Sequence, residues 1–205
     1  MNKRRFLKET GAASLAAGLA LASRTSWAQA PGGDVKVLIA YHSVTGNTEK
    51  MAQGVAEGAK SVSEANVVLK KVSEVTADDL LACDALIVGS PVYFANMAGE
   101  VKTFFDNWLL KFRFVFTDFK MRNKIGGAFV TGGAISNGKE TTMQSIHAAM
   151  LINQMSVVSG GGAFGASATT GPDSPGVNDT ELEAARALGK RVAEFAAITK
   201  RGSKS

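Results

Sequence analysis

The sequence predicts an α/β domain in which a five-stranded parallel sheet carries helices on both faces. Three observations carry that expectation. Short apolar runs alternate with segments of helical periodicity, the pattern of strand, crossover helix and returning strand that makes a sheet parallel. The runs at 35–40 and 84–90 are apolar almost throughout instead of alternating, as strands covered on both faces require. The stretches that leave the first, third and fourth runs are rich in Gly, hydroxyl and aromatic residues, and an open parallel sheet keeps its ligand crevice at those strand ends.

Each element has its own signal. The first strand, 35–40, leads into a helix at 48–62 with Met51, Val55 and Ala59 at helical spacing, and 66–72 reads as the second strand. A weaker helical or loop segment, 73–83, precedes the third strand at 84–90. The helix at 99–112 places Val101, Phe104, Phe105, Trp108, Leu109 and Phe112 at steps of three and four. Residues 124–131 form the fourth strand, 140–153 a helix with Met143, Ile146, Met150 and Leu151 inward, and 156–159 a short fifth strand. A Gly-rich loop at 160–176 follows. Thr180 and Glu183 then have capping-box spacing at the head of a last helix marked by Leu182, Ala185, Leu188, Val192 and Phe195.

Three loops concentrate the chemistry. In the first, Ser43, Thr45, Gly46, Asn47 and Thr48 stand between a buried strand and a helix, where backbone N–H groups are unpaired and the helix dipole is positive. Such a loop suits a phosphate. It has no Lys, and the chain has no G-x-x-x-x-G-K-[ST], which argues against a nucleoside triphosphatase. A hydroxyl-rich helix cap is the structural alternative. In the second loop Pro91, Val92, Tyr93 and Phe94 could wall a slot for a planar ring, or the aromatics could close the core at a strand end. In the third, Thr131, Gly132 and Gly133 offer amides and a close backbone approach, or a plain flexible connection.

Ser43-x-Thr45-Gly46-x-Thr48 after a first strand resembles the FMN-phosphate loop of flavodoxins and related flavin reductases. Gly89-Ser90-Pro91-x-Tyr93-Phe94-x-Asn96-Met97, followed by Gly99-x-x-Lys102-x-Phe104-x-Asp106, resembles the signature of the tryptophan-repressor-binding-protein type of NAD(P)H:quinone oxidoreductase. Thr131-Gly132-Gly133 and the residues 138–142 resemble that family's third loop and following helix. The similarity runs from about Val35 to Phe195. It implies a flavodoxin-like three-layer sandwich with strand order 2-1-3-4-5 and FMN held without a covalent bond. Ser43, Thr45, Gly46, Asn47 and Thr48 would bind the phosphate. Pro91, Val92, Tyr93 and Phe94 would border the ring, and Thr131, Gly132 and Gly133 would contact ring or ribityl chain.

The resemblance also implies the reaction: a hydride passes from NAD(P)H to the flavin and then to a quinone-type acceptor. No protein acid or base is required, which suits a chain with two histidines, and no metal ligands are assigned. The sequence departs from the family where a His pair is common, since Ile152 and Asn153 occupy those places; His147 is expected to be a helix-surface residue. The aromatic stretch Trp108, Phe112, Phe114, Phe116 and Phe119 is expected to be core or subunit interface, the family often forming dimers or tetramers.

Residues 1–28 carry Lys3, Arg4, Arg5, Lys8 and Arg24 against Glu9, a net of +4 out of +5 for the chain. With an apolar stretch and small residues before position 29, they read as an export signal resembling the twin-arginine type, cleaved before Gln29. The apolar stretch is short for a membrane span. The expectation is a linker at 29–34, one domain at 35–200 and a tail at 201–205, in a protein exported to the periplasm, membrane-associated should the signal be retained. The nearly neutral remainder offers no electrostatic footprint for nucleic acid. The single Cys83 forms no internal disulfide and is expected to be an inert core residue.

Three functions are compatible with these readings. The first is an FMN-dependent NAD(P)H:quinone-type reductase, with which export away from NAD(P)H sits awkwardly. The second is a flavodoxin-type electron carrier between protein partners, although such carriers are usually acidic. The third is a non-catalytic binding module, which would purify without flavin.

Overall fold

The computed structural model describes residues 35–114, 118–171 and 176–203. The export segment expected at 1–28, the linker at 29–34 and Phe116 lie outside these residues. Among the described residues seven strands and five α-helices follow one another: β1 Val35–Tyr41, α1 Asn47–Lys60, β2 Ala65–Lys71, α2 Ala77–Ala82, β3 Ala85–Tyr93, β4 Asn96–Met97, α3 Gly99–Leu110, β5 Ile125–Gly132, α4 Lys139–Leu151, β6 Ser156–Val157, β7 Ala166–Thr169 and α5 Asp179–Gly202.

The sheet runs β2-β1-β3-β5-β6, all parallel, which is the expected order 2-1-3-4-5. Its fifth position is built differently from the expectation. β6 covers Ile125 and Gly126 of β5, the chain then leaves the sheet, and β7 returns to pair in parallel with the stretch from Phe129 to Gly132. The return lies inside the segment expected to be loop. Ala166-Ser167-Ala168-Thr169 carries almost no strand signal of its own, and β5 and α5 supply its pairing and cover. Gly165 makes the return possible. Its φ is +142°, and a Cβ there would stand 2.0 Å from the Ala128 carbonyl oxygen.

Helices fill both faces. Val37, Ile39, Ile87 and Phe129 pack under α1 and α5 with Met51, Val55, Leu188 and Val192. Leu38, Leu86, Val88 and Val130 pack under α2, α3 and α4 with Leu80, Phe104, Trp108, Ile146 and Met150. Trp108 and Phe114 are buried, so these two aromatics belong to the core. Cys83 is fully buried, and burial pushes its thiol up to about 12, the environment of an inert residue. Leu151, expected inward, is exposed because the helix turns it away from the Met143, Ile146 and Met150 stripe.

Two caps organise the helix starts. At α2, Thr76 and Asp79 form a capping box, and Asp79 Oδ2 also takes Lys70 Nζ at 2.7 Å. At α5 the box is Asn178 with Glu181, two residues before the expected Thr180 and Glu183. Asn178 has the extended backbone of a cap and accepts from the Glu181 amide at 2.9 Å, whereas Thr180 and Glu183 are already helical. The last helix also extends to Gly202, beyond the boundary expected at 200. Among the described residues no helix is long and apolar enough to cross a membrane.

The α1–α5 contact rests on two glycines. A Cβ on Gly58 would lie 1.9 Å from Arg186 O, and one on Gly189 would lie 1.9 Å from Val55 O. Gly189→Ala therefore forces the helices apart and should cost about 1–3 kcal/mol in urea unfolding. Gly99→Ala, with open space at its Cβ, should be neutral or slightly stabilising.

Burial alone would raise the Asp79 carboxyl, but its bonds from Lys70 and Thr76 outweigh that and hold it below the usual range. Asp79 thus favours the folded state above the unfolded carboxyl value of about 3.9 and loses that contribution as pH falls through its lower folded value. The difference in stability between the parent and Asp79→Ala should be about 3 kcal/mol at pH 7 and shrink toward zero in acid, as pH-dependent unfolding would read.

Candidate functional site at the C-terminal strand edge

The first loop leaves β1 and turns into α1 through Gly46, whose φ of +86° puts it in the left-handed region where glycine is favoured. No side chain caps α1, so the N–H groups of its first turn remain available to a ligand. Asn47 donates to the Thr45 hydroxyl at 3.2 Å, and both lie at the surface of the loop. Ser43 Oγ is enclosed yet has no hydrogen-bond partner among the described residues. A hydroxyl in that condition costs stability unless something completes it, and a phosphate on an uncapped helix N-terminus does so. The loop is fixed from below: the Tyr41 hydroxyl donates to Glu49 Oε1 at 2.8 Å, and burial together with that bond raises the phenol to about 12.

The second loop is a hairpin. β4 pairs antiparallel with the end of β3, Val92 opposite Met97 and Tyr93 opposite Asn96. Phe94 and Ala95 form its two-residue turn with φ of +50° and +60°, a conformation that Asn-Gly adopts far more readily. The strain is held by Ser90, which donates to Pro91 O at 2.7 Å and accepts from the Ala98 amide at 2.9 Å. Phe94 is fully exposed and Tyr93 is 44 % exposed. Exposure removes the alternative that these aromatics close the core. A strained tip presenting a bare phenyl ring fits a surface kept for a planar ligand.

The third loop leaves β5 at Thr131, Gly132 and Gly133. Thr131 is buried, and its Oγ1 lies 2.8 Å from Thr48 Oγ1, so the first and third loops meet through one hydrogen bond. Thr48, expected to bind phosphate, therefore has its hydroxyl turned onto Thr131 beneath the loop. Open space surrounds the position a Cβ would take at Gly133. Gly138, with φ of +90°, approaches Ala95 so closely that a Cβ would stand 2.5 Å from it, which brings the second loop against the start of α4.

Sequence reasoning missed several residues here. His42 Nε2 is enclosed without a hydrogen-bond partner among the described residues, 3.5 Å from Glu100 Oε2. Lys139 is buried and donates to Thr169 Oγ1 at 2.6 Å. Glu181 reaches from α5 to the Thr169 amide at 2.7 Å. The one available signal was Lys139, a cation in a helix's first turn, where the dipole disfavours it. His147 is half-buried on α4, with its Nε2 enclosed and without a hydrogen-bond partner among the described residues, instead of lying on the surface; desolvation lowers its pKa. A cavity of about 790 Å³ lies between α3 and α4, lined by Met97, Phe105, Leu109, Leu110 and Ile152 among others. It touches the three loops only through Asn96 and Met97, so it is distinct from the crevice above the strand ends.

The order of the sheet and the loops at the β1/β3 switch point define a flavodoxin-like protein. The model of the NADPH-dependent FMN reductase family matches residues 34–170, and the chain belongs to that family. It is 33 % identical over 199 residues to an NAD(P)H dehydrogenase (quinone) of Chromohalobacter salexigens, across 79 % of this chain and 97 % of that one. It is 39 % identical over 180 residues to a flavodoxin of Aquifex aeolicus, across 82 % and 91 % of the two chains. Among solved structures, the flavodoxin, WrbA-like protein from Agrobacterium tumefaciens superposes with a TM-score of 0.67 at 26 % identity, covering 80 % of this chain and 99 % of that one.

The Thr48–Thr131 contact predicts a coupled pair. Thr48→Val or Thr131→Val alone leaves one buried hydroxyl unpaired and should cost about 1–3 kcal/mol, while the double variant should cost less than the sum. Additive costs in a double-mutant cycle would show that the two hydroxyls do not depend on each other.

Proposed function

We propose that this protein is an FMN-dependent oxidoreductase that passes a hydride from NAD(P)H through the flavin to a quinone-type acceptor. The observation that carries the reading is the enclosed, unpartnered Ser43 hydroxyl beside an uncapped α1 N-terminus at the sheet's switch point. Family membership supports both cofactor and donor, and the Chromohalobacter relative's description supports the acceptor class.

The chain's residues divide the work. Ser43, Thr45, Gly46 and Asn47 hold the phosphate with hydroxyls and amides, while Thr48 braces that loop on Thr131. Pro91, Val92, Tyr93 and Phe94 border the ring, and the hairpin's fixed turn keeps the exposed aromatics in place. Gly133, with open space where a Cβ would stand, lets backbone approach the ligand from the other side, whereas the missing Cβ of Gly132 makes room for Asn137. FMN, when bound, supplies the two-electron chemistry, and the protein supplies position and electrostatics.

A second reading has its own support: the 39 % identity to an Aquifex flavodoxin favours an electron carrier between proteins. Anaerobic visible spectra separate the two. For the reductase, flavin bands bleach on addition of NADPH or NADH and return with benzoquinone; for the carrier, nucleotide leaves them unchanged while dithionite bleaches them.

The basic, small-residue start of the chain supports export to the periplasm with cleavage before Gln29, and mass spectrometry of the secreted protein would give the cut. Exposed Leu109, Leu110, Leu151 and Ile152 on α3, α4 and the turn after α4 support a dimer or tetramer, which light scattering would read.

Because Ser43 Oγ has no hydrogen-bond partner among the described residues, Ser43→Ala should leave the unfolding midpoint of the FMN-free protein unchanged or slightly raised. Ser43→Ala with Thr45→Ala should weaken FMN at least about tenfold, each lost bond to a charged group being worth about 1.5–3 kcal/mol, and should leave riboflavin binding unaltered. Equal losses for FMN and riboflavin would place the phosphate elsewhere.

A further inference from the structure

Lys139 opens α4 beside the third loop, and two ordinary preferences are broken there. A cation in the first turn opposes the helix dipole. A lysine with 6 % exposure is rare unless a carboxylate accompanies it. Among the described residues, the Lys139 ammonium has one hydrogen-bond partner, the neutral Thr169 hydroxyl, and no carboxylate within ion-pair distance. Glu181 reaches the same residue but has both oxygens engaged by amides, Oε1 with Thr169 and Oε2 with Asn178.

The charge stands at the ligand edge. Thr169 is the register partner of Gly132, and the next amide, Thr170, donates to Gly132 O at 2.8 Å. Gly171 then packs against the Gly133 carbonyl, where a Cβ would be 1.9 Å away. The ammonium is therefore attached to the strand that supports Gly132 and Gly133, and its helix starts at Gly138, which packs against Ala95 of the hairpin assigned to the ring. A buried cation with no countercharge among the described residues is a local rule broken without visible compensation, and such places are characteristically functional.

We propose that Lys139 supplies the countercharge for the reduced cofactor, stabilising the negative charge that the flavin ring gains with two electrons and so favouring hydride chemistry. The inference rests on the FMN reading. A hydride carries two electrons and one proton from NAD(P)H to the ring, leaving oxidised nicotinamide and one added negative charge on the ring. Return of the hydride to a quinone, with one proton from solvent, gives the hydroquinone and removes that charge. A fixed positive charge near the ring acts on the reduced form far more than on the oxidised one.

The test uses the FMN-reconstituted protein with Lys139→Gln and Lys139→Arg. Fluorescence quenching reads affinity for oxidised FMN, and anaerobic dithionite titration beside a reference dye reads the midpoint potential. Lys139→Gln should bind oxidised FMN within about twofold of the parent and reduced FMN about tenfold more weakly, the scale of one unit charge acting at an effective dielectric of about 20. Its two-electron midpoint then falls by about 30 mV, while Lys139→Arg keeps the parental value. An unchanged midpoint in Lys139→Gln, or equal weakening of both oxidation states, overturns the proposal and leaves Lys139 as a tie between α4 and β7. A parent protein that takes up no FMN overturns the cofactor reading itself, and with it this one.

Discussion

One buried hydrogen bond, Thr48 Oγ1 to Thr131 Oγ1 at 2.8 Å, sets the geometry on which the crevice depends. It ties the first turn of α1 to the end of β5 across the face of the sheet. Two loops 83 residues apart in sequence are thereby held at one height above the strand ends. Both hydroxyls are buried, so neither has water as an alternative partner, and separation of the loops leaves two polar groups unsatisfied. The loops above can then remain polar and open, because their relative position is decided beneath them.

The helix layer reinforces this arrangement. Gly58 and Gly189 let α1 and α5 approach at backbone distance, and α5 in turn covers β7, the strand that supports the third loop. Through Glu181, α5 also fixes the Thr169 amide. The crevice is therefore supported from both sides: α1 and α5 stand behind the first loop, and the hairpin lodges against Gly138. Positive φ at Phe94 and Ala95 is maintained by the β3–β4 pairing and by Ser90, consistent with strain kept at a functional surface by a rigid surround.

Polar groups that the protein itself leaves incomplete lie close to this edge. The Ser43 hydroxyl is enclosed and unpaired, and the Lys139 ammonium is buried beside a neutral partner. A stable core has little reason to keep either, since each costs free energy that an apolar residue would not. On the proposed reading, a flavin mononucleotide would bring phosphate to one end of the crevice and a reducible ring to the other, and one ligand would account for both features.

The sequence by itself determined the alternation of elements, the sheet order and the three loops, because those are written in local patterns: apolar runs, helical spacing, and clusters of Gly and hydroxyl residues. It singled out the hydroxyl-rich loop after β1 but not which of its hydroxyls the fold itself uses. That Ser43 is left unpaired while Thr48 turns onto Thr131 depends on contact with a strand far along the chain. β7 was illegible for the same reason, since Ala-Ser-Ala-Thr becomes a strand only when β5 offers an edge and α5 a cover. The choice of Asn178 over Thr180 as cap was settled by where β7 ends and by Glu181 reaching it. Tertiary structure also decided the surroundings of Lys139, an ordinary residue in sequence whose burial beside Thr169 exists only once α4, β5 and β7 are assembled.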